Sequence, residues 1–179
     1  FEAADAKGMR LIAGKVLMDS NCPEELRDDA ETGYADSKAL IERWHGQARL
    51  GYAITPRFSP TSTPEQLAAL GALWSEYPDC LMQTHLSEQL PEIDWVRGLF
   101  PQARDYLDTY EAHGLIGPRA VFGHAIHLEP REIDRLRDTG AALAHCPTSN
   151  SFIGSGLMDL AGLAARGIPV FNAPGANAQ

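Results

Sequence analysis

Positive charge is scarce in this chain. Lys and Arg number 15 against 24 Asp and Glu in 179 residues, a formal charge of −9. With no basic patch to meet phosphates, neither nucleic acid nor an anionic membrane surface is an expected partner. The densest basic stretch, REIDRLR (131–137), is interleaved with acids and reads as a solvated helix face. Cysteine is scarce too. Cys22, Cys80 and Cys146 make an odd count with no C-x-x-C spacing, which argues against a disulfide framework and for a reducing compartment. No apolar run is long enough to span a bilayer. The opening FEAADAKGMR has acids, no apolar h-region and no initiator Met, so a signal peptide is not expected and the gene product is expected to begin upstream. Nucleotide fingerprints are missing as well: no G-x-G-x-x-G follows the first strand and no P-loop occurs. Neither H-E-x-x-H nor the H-x-E…P-C-x-x-C signature is present.

What is present is alternation, with 44% hydrophobic residues and length for one domain with a core. Strand-length runs are expected at RLIAGKVLM (10–18), LGYAIT (50–55, ended by Pro56), CLMQTH (80–85), AVFGHAIH (120–127), ALAHCP (142–147) and IPVFNAP (168–174). Between them lie helical patterns. DSKALIERWHG (36–46) has Asp36 as a candidate N-cap and Gly46 as a stop. TPEQ offers Thr63 as cap, Pro64 at the first helical position and Gln66 to complete a capping box, with Leu67, Leu70, Trp74 and Tyr77 at helical spacing. EIDWVRGLF and ARDYLDTYEAHG follow, then a helix over about 130–138 stopped by Gly140, then LMDLAGLAARG (157–167) ended by Gly167. Six strands alternating with helices predict a parallel α/β sheet, either doubly wound or a (β/α)8 TIM-type barrel.

The polar side chains gather where strands end. Arg57 follows the strand of 50–55; His85 and Glu88 follow that of 80–85; His124 and His127 lie late in the strand of 120–127; His145 and Cys146 end the next, with Ser149 and Asn150 just beyond. In a parallel barrel these ends open on one face, where active sites are assembled from several loops. Each has a blander reading. A lone strand-end His is more often a hydrogen-bonded structural residue than a ligand, Glu88 suits a helix's first turn, and Arg57 suits a loop salt bridge. His45 and His113, each before a Gly at a helix end, suit bonding to C-terminal carbonyls. The sharper reading is a zinc site: neutral imidazoles ligate zinc, one position stays open for water, and a carboxylate carries the proton.

YAITPRFSPTSTPEQL, QTHLSE, VFGHAIHL and AHCPTSN, in this order, resemble the guanine deaminases of the amidohydrolase superfamily, over about Gly8 to Gly167. ITPRFS together with THLSE points to that family; a lone TH and GH would indicate only the superfamily. The resemblance implies a (β/α)8 barrel, one zinc (iron also suits such sites), and hydrolysis of guanine to xanthine and ammonia in a cytosolic homodimer. It implies that His85 is a zinc ligand and that Glu88 moves a proton between water and the purine ring. It further implies that His124 holds hydroxide and substrate, and that Arg57 and Phe58 grip the base. His127, His145, Ser149 and Asn150 lie in family-like stretches without an assigned role.

The chain also departs from that family. The family's H-x-H pair occurs nowhere here, and VFNAPGANAQ puts Gly175 about where the family's closing Asp of G-T-D would fall. Residues 1–179 are therefore expected to form a partial barrel of about six βα units, with no counterpart of the family's small β-domain. Alone, such a chain is expected to be inactive or nearly so. The competing expectations are an amidohydrolase acting on a pterin, triazine or oxidised guanine, a non-catalytic binding or assembly protein that has lost its metal, and a generic α/β domain with polar loops.

Overall fold

A computed structural model describes residues 1–172. After a short helix α1 (Glu2–Ala6) come strands β1 (Leu11–Ala13) and β2 (Val16–Leu17), helix α2 (Ala30–Trp44), β3 (Leu50–Pro56), α3 (Pro64–Glu76), β4 (Leu81–Leu86), α4 (Leu90–Leu99), α5 (Tyr106–Glu111), β5 (Ala120–His124), α6 (Pro130–Thr139), β6 (Ala142–His145), α7 (Pro147–Ile153), α8 (Leu160–Ala165) and β7 (Val170–Asn172). The strands pair in parallel in the order β1-β3-β4-β5-β6-β7, and β2 pairs with the far end of β3. The result is a curled parallel sheet with its helices against one face, an arc of a (β/α) barrel.

The run expected as one strand over 10–18 is two strands. A Cβ on Gly14 would lie 1.8 Å from the Ala53 carbonyl oxygen, so the chain there passes too close to β3 to keep its ladder. The helix expected to start at Asp36 starts earlier. Asp29 is its cap, accepting from Thr32 N–H, while Asp36 sits mid-helix and pairs with Lys15 at 2.7 Å. Thr63 does cap α3, but Gln66 does not complete the box: its buried amide has no partner among the described residues. The strand of 120–127 stops at His124, the last helix spans only Leu160–Ala165, and β7 (Val170–Asn172) begins two residues later than expected, with 173 and 174 outside the described residues. Residue 175 lies outside the described residues. Helices α1 and α7 were not expected; the strand expected over 142–147 ends at His145, and Pro147 opens α7.

Alternation along the strands separates two faces. On β4, Met82, Thr84 and Leu86 are buried under the helices, while Gln83 and His85 lie on the inner, open side. Tyr52, Ile54, Met82, Phe122 and Leu143 meet Leu67, Leu70, Leu107 and Leu136 in one core. The REIDRLR stretch is not simply solvated. Arg131 binds Asp105 and Glu111, Arg135 binds Glu111, and Glu132 and Leu136 are buried, because this face of α6 docks on α5. Glu132 accepts from Glu129 N–H and also from Leu107 N–H, so its carboxylate ties the start of one helix to the start of another.

Candidate active site

His85 stands near the carboxyl end of β4. Its Nδ1 lies 2.6 Å from the Arg57 carbonyl oxygen, which can only accept, so Nδ1 carries the proton and Nε2 keeps its lone pair. The His85 backbone N–H donates to the same carbonyl at 3.3 Å. Beneath it the buried Tyr110 hydroxyl donates to the His85 carbonyl at 2.9 Å and accepts from Ser59 N–H at 2.9 Å. The sheet face bearing His85 is open, yet the ring is hemmed in by its neighbours. That crowding pushes its imidazole below the ordinary value, against the opposing pull of the Arg57 carbonyl, and favours the neutral form.

The next strand ends in strained backbone. Ser87 after β4 has φ +46°, and His124 and Ala125 at the end of β5 have φ +67° and +46°. Left-handed conformations at non-glycine residues cost on the order of 1–3 kcal/mol each and survive only where surroundings enforce them. Here the enforcement is visible. Ala125 N–H donates to the Leu86 carbonyl at 2.8 Å, and the N–H groups of Ile126 and His127 both reach the Ser87 carbonyl at 3.1 Å. Strict alternation on β5 would send His124 with Ala120 and Phe122 towards the helices. Its ring stacks on His85 instead, centroids 5.3 Å apart and planes within 15°.

Zipping the two loops together brings Glu88 alongside. Its Oε1 lies 3.2 Å from His124 Nδ1 and accepts from the Ser155 hydroxyl at 3.2 Å. His124 Nδ1 also lies 2.7 Å from Oδ1 of the fully buried Asn150. At the rim, the Arg57 guanidinium sits 4.9 Å above the Phe58 ring, a cation–π contact. Phe58 in turn meets His85 and Trp95 edge-on, at 6.1 and 6.3 Å.

Five residues singled out from sequence therefore meet at one mouth: Arg57, Phe58, His85, Glu88 and His124. His127 does not lie in a strand; it follows β5, and its Nε2 donates to the Ser155 carbonyl at 2.9 Å, bracing the residue that holds Glu88. His145, the last residue of β6, pairs with Asn172 at 3.2 Å, away from the stacked rings. His113 binds the Thr109 carbonyl at a helix end, as expected. Tyr110, Ser155 and Trp95 gave no sequence signal, since their roles depend on contacts distant in the chain.

A second cluster, His45, Asp79 and Cys80, has ligand-type atoms within 4.8 Å of one another. Its chemistry argues against a metal. His45 Nδ1 accepts from Tyr52 N–H at 2.9 Å, so the proton sits on Nε2, which donates to Asp79. Burial meanwhile pushes the Cys80 thiol up to about 11, keeping it protonated at neutral pH. His45 is structural, but through β3 and Asp79 as well as its helix end. A cavity of about 340 Å³ lies between α4 and α6, lined by Ile93, Tyr106 and Glu132 and also by Ser87 and His127 of the turns after β4 and β5. The mouth itself is the open inner side of the arc.

The profile of the amidohydrolase family matches residues 1–173. Guanine deaminase of Escherichia coli (strain K12) is 55% identical over 160 residues, covering 89% of this chain and 36% of that protein. The chain thus spans little more than a third of that curated relative. The solved structure of E. coli guanine deaminase superposes with a TM-score of 0.94 at 51% identity, over 96% of this chain and 40% of that one. Guanine deaminase from C. acetobutylicum, solved with guanine bound in the active site, gives 0.92 at 33% identity, over 96% and 41%. The arc is part of a (β/α) barrel of that kind.

Proposed function

The chain belongs to the amidohydrolase family, and we propose that residues 1–179 are a partial barrel domain carrying the proton-handling and base-binding side of a guanine deaminase site. The reaction is hydrolysis of guanine to xanthine and ammonia in cytoplasmic purine catabolism, with a homodimer as the working assembly. The observation that carries this reading is the convergence at one mouth of stacked His85 and His124 with Glu88, beside the Arg57–Phe58 pair.

The donor set fits zinc. His85 has its Nδ1 proton engaged by a carbonyl, and crowding favours its neutral form, so Nε2 is available as a ligand. A catalytic zinc takes three protein ligands and an open position, so His85 is one member of a set completed from beyond these residues. Zinc, when bound, lowers the pKa of a water towards neutrality and makes hydroxide available.

The chain's own residues do the rest. The planar Arg57 guanidinium, braced on Phe58, offers paired donors to the carbonyl side of the purine, while Phe58 and Trp95 present ring edges and faces to its plane. His124 accepts a hydrogen bond from the attacking water at Nε2. Glu88, held by Ser155, takes the water's proton and delivers it to a ring nitrogen. The hydroxide adds to the carbon bearing the amine; the adduct's remaining hydroxyl proton passes to that amine, the C–N bond breaks, and ammonia leaves as the new carbonyl forms.

The test places this chain in the corresponding segment of the E. coli enzyme, with which it shares 55% identity. The chimera is expected to hold zinc and to form xanthine, and Glu88→Gln to lower kcat by about 10²–10⁴-fold with zinc retained. A folded, zinc-loaded chimera without turnover, or a Glu88→Gln chimera as fast as its parent, would sink the reading.

A further inference from the structure

Asn150 presents an oddity: it is fully buried, its Oδ1 is engaged at 2.7 Å by His124 Nδ1, and its Nδ2 has no partner among the described residues. Burying an amide with its donor unpaired is unfavourable. The side chain is retained for its oxygen. Two acceptors converge on His124 Nδ1, the Asn150 oxygen and Glu88 Oε1 at 3.2 Å. A bare lone pair at Nδ1 would face both of them and be repelled.

We infer that Asn150 is a positioning residue that fixes His124 as the Nδ1–H tautomer and leaves Nε2 as a lone pair. In terms of the deamination proposed above, on which its catalytic meaning rests, Asn150 makes His124 an acceptor for the attacking water. A neutral amide does this without setting a second carboxylate against Glu88, which an Asp would do. The arrangement is shared with the other proton-handling group. Asn150 N–H donates to the Cys146 carbonyl at 3.0 Å, and the Asn150 carbonyl accepts from Ser155 N–H at 2.9 Å. Ser155 in turn donates to Glu88. One short segment, 150–155, at the end of α7, therefore orients both His124 at the end of β5 and Glu88 in the loop after β4.

The test reads the tautomer directly, by long-range ¹H–¹⁵N correlation of the His124 ring in this chain without metal. The wild type is expected to be protonated at Nδ1 and bare at Nε2. Asn150→Leu, which removes the acceptor, shifts population towards the Nε2–H form, and Asn150→Asp keeps the proton on Nδ1. A wild-type ring protonated on Nε2, or an Asn150→Leu ring with an unchanged tautomer ratio, overturns the inference. Should Asn150→Leu fail to fold, the wild-type and Asn150→Asp spectra decide alone. In the chimera, Asn150→Leu lowers kcat by roughly 10–100-fold with KM little changed. A chimera inactive from the start, with the wild-type tautomer as expected, counts against guanine deamination and not against the role of Asn150.

Discussion

Gly71 lies in the interior of α3, where helix propensity alone says alanine should be better by about 1 kcal/mol. The structure reverses that sign. A Cβ at Gly71 would sit 1.8 Å from the carbonyl oxygen of His113 and 3.1 Å from its carbon. Both are backbone atoms, so no rotamer change relieves the contact, and the chain after α5 must retreat by more than an ångström. Overpacking of this kind costs about 1–3 kcal/mol, which offsets the propensity gain and leaves Gly71→Ala a net destabilisation of up to about 2 kcal/mol. Gly98, near the end of α4, is the internal control, because its Cβ would meet nothing within 4 Å. Gly98→Ala should therefore stabilise by about 0.5–1 kcal/mol. Urea unfolding reads both; by heat, the shift is about 2–4 °C per kcal/mol for a domain of this size. Two substitutions of one type in two helices are expected to move the midpoint in opposite directions. If Gly71→Ala stabilises as Gly98→Ala does, the close approach of α3 to the His113 turn is wrong. So, with it, is the placement of α5 and of the Tyr110 hydroxyl that supports His85.

Two further predictions concern that support. Tyr110→Phe removes the hydroxyl that accepts from Ser59 N–H and donates to the His85 carbonyl, stranding one buried and one partly buried backbone group. It should cost about 1–3 kcal/mol in urea unfolding, and a neutral effect would show that the hydroxyl holds nothing in place. Glu132 is the pH-sensitive element, its carboxyl pushed up to about 7 chiefly by burial, against two backbone donors that favour the charge. Below the unfolded-state pKa it is neutral in both states. Between that value and about 7 only the unfolded chain releases the proton, so stability falls as pH rises through this window. Relative to Glu132→Gln, the wild type should therefore lose on the order of 3 kcal/mol between about pH 4 and pH 8, and a flat difference would refute the buried carboxyl.

The alternation of strands and helices was legible because apolar runs of strand length stand between capped, periodic segments. Thr63–Pro64 and Gly140 mark helix ends that the structure keeps. The break at Gly14 was not legible, since it arises from the nearness of the Ala53 carbonyl, 39 residues away in sequence. Asp36 misled for a related reason. It has a cap's chemistry, but Lys15 draws its side chain, and Asp29 takes the cap. In the site, residues proposed to act through their own chemistry at strand ends stood out: Arg57, His85, Glu88 and His124. Those that act by holding another side chain did not. Asn150 drew notice just beyond a strand end and in a family-like stretch but without a role, and Ser155 and Tyr110 not at all, because a hydrogen bond to a distant loop leaves no local periodicity or spacing.

The tightest joint in the mouth is the backbone of a single residue, Arg57. The Arg57 carbonyl receives the His85 backbone N–H and the His85 ring proton, and lies 3.2 Å from the Thr84 hydroxyl. The Arg57 N–H donates to the Leu17 carbonyl at 3.0 Å, so β2 anchors the same residue through its preceding peptide. A residue proposed to grip the base thus shares its backbone with the contact that sets the tautomer of the proposed zinc ligand. Displacing one displaces the other. The barrel edge β2–β3 and the strained turns after β4 and β5 therefore act as one rigid frame. The left-handed residues at Ser87, His124 and Ala125 are tolerable because that frame leaves the chain nowhere else to go.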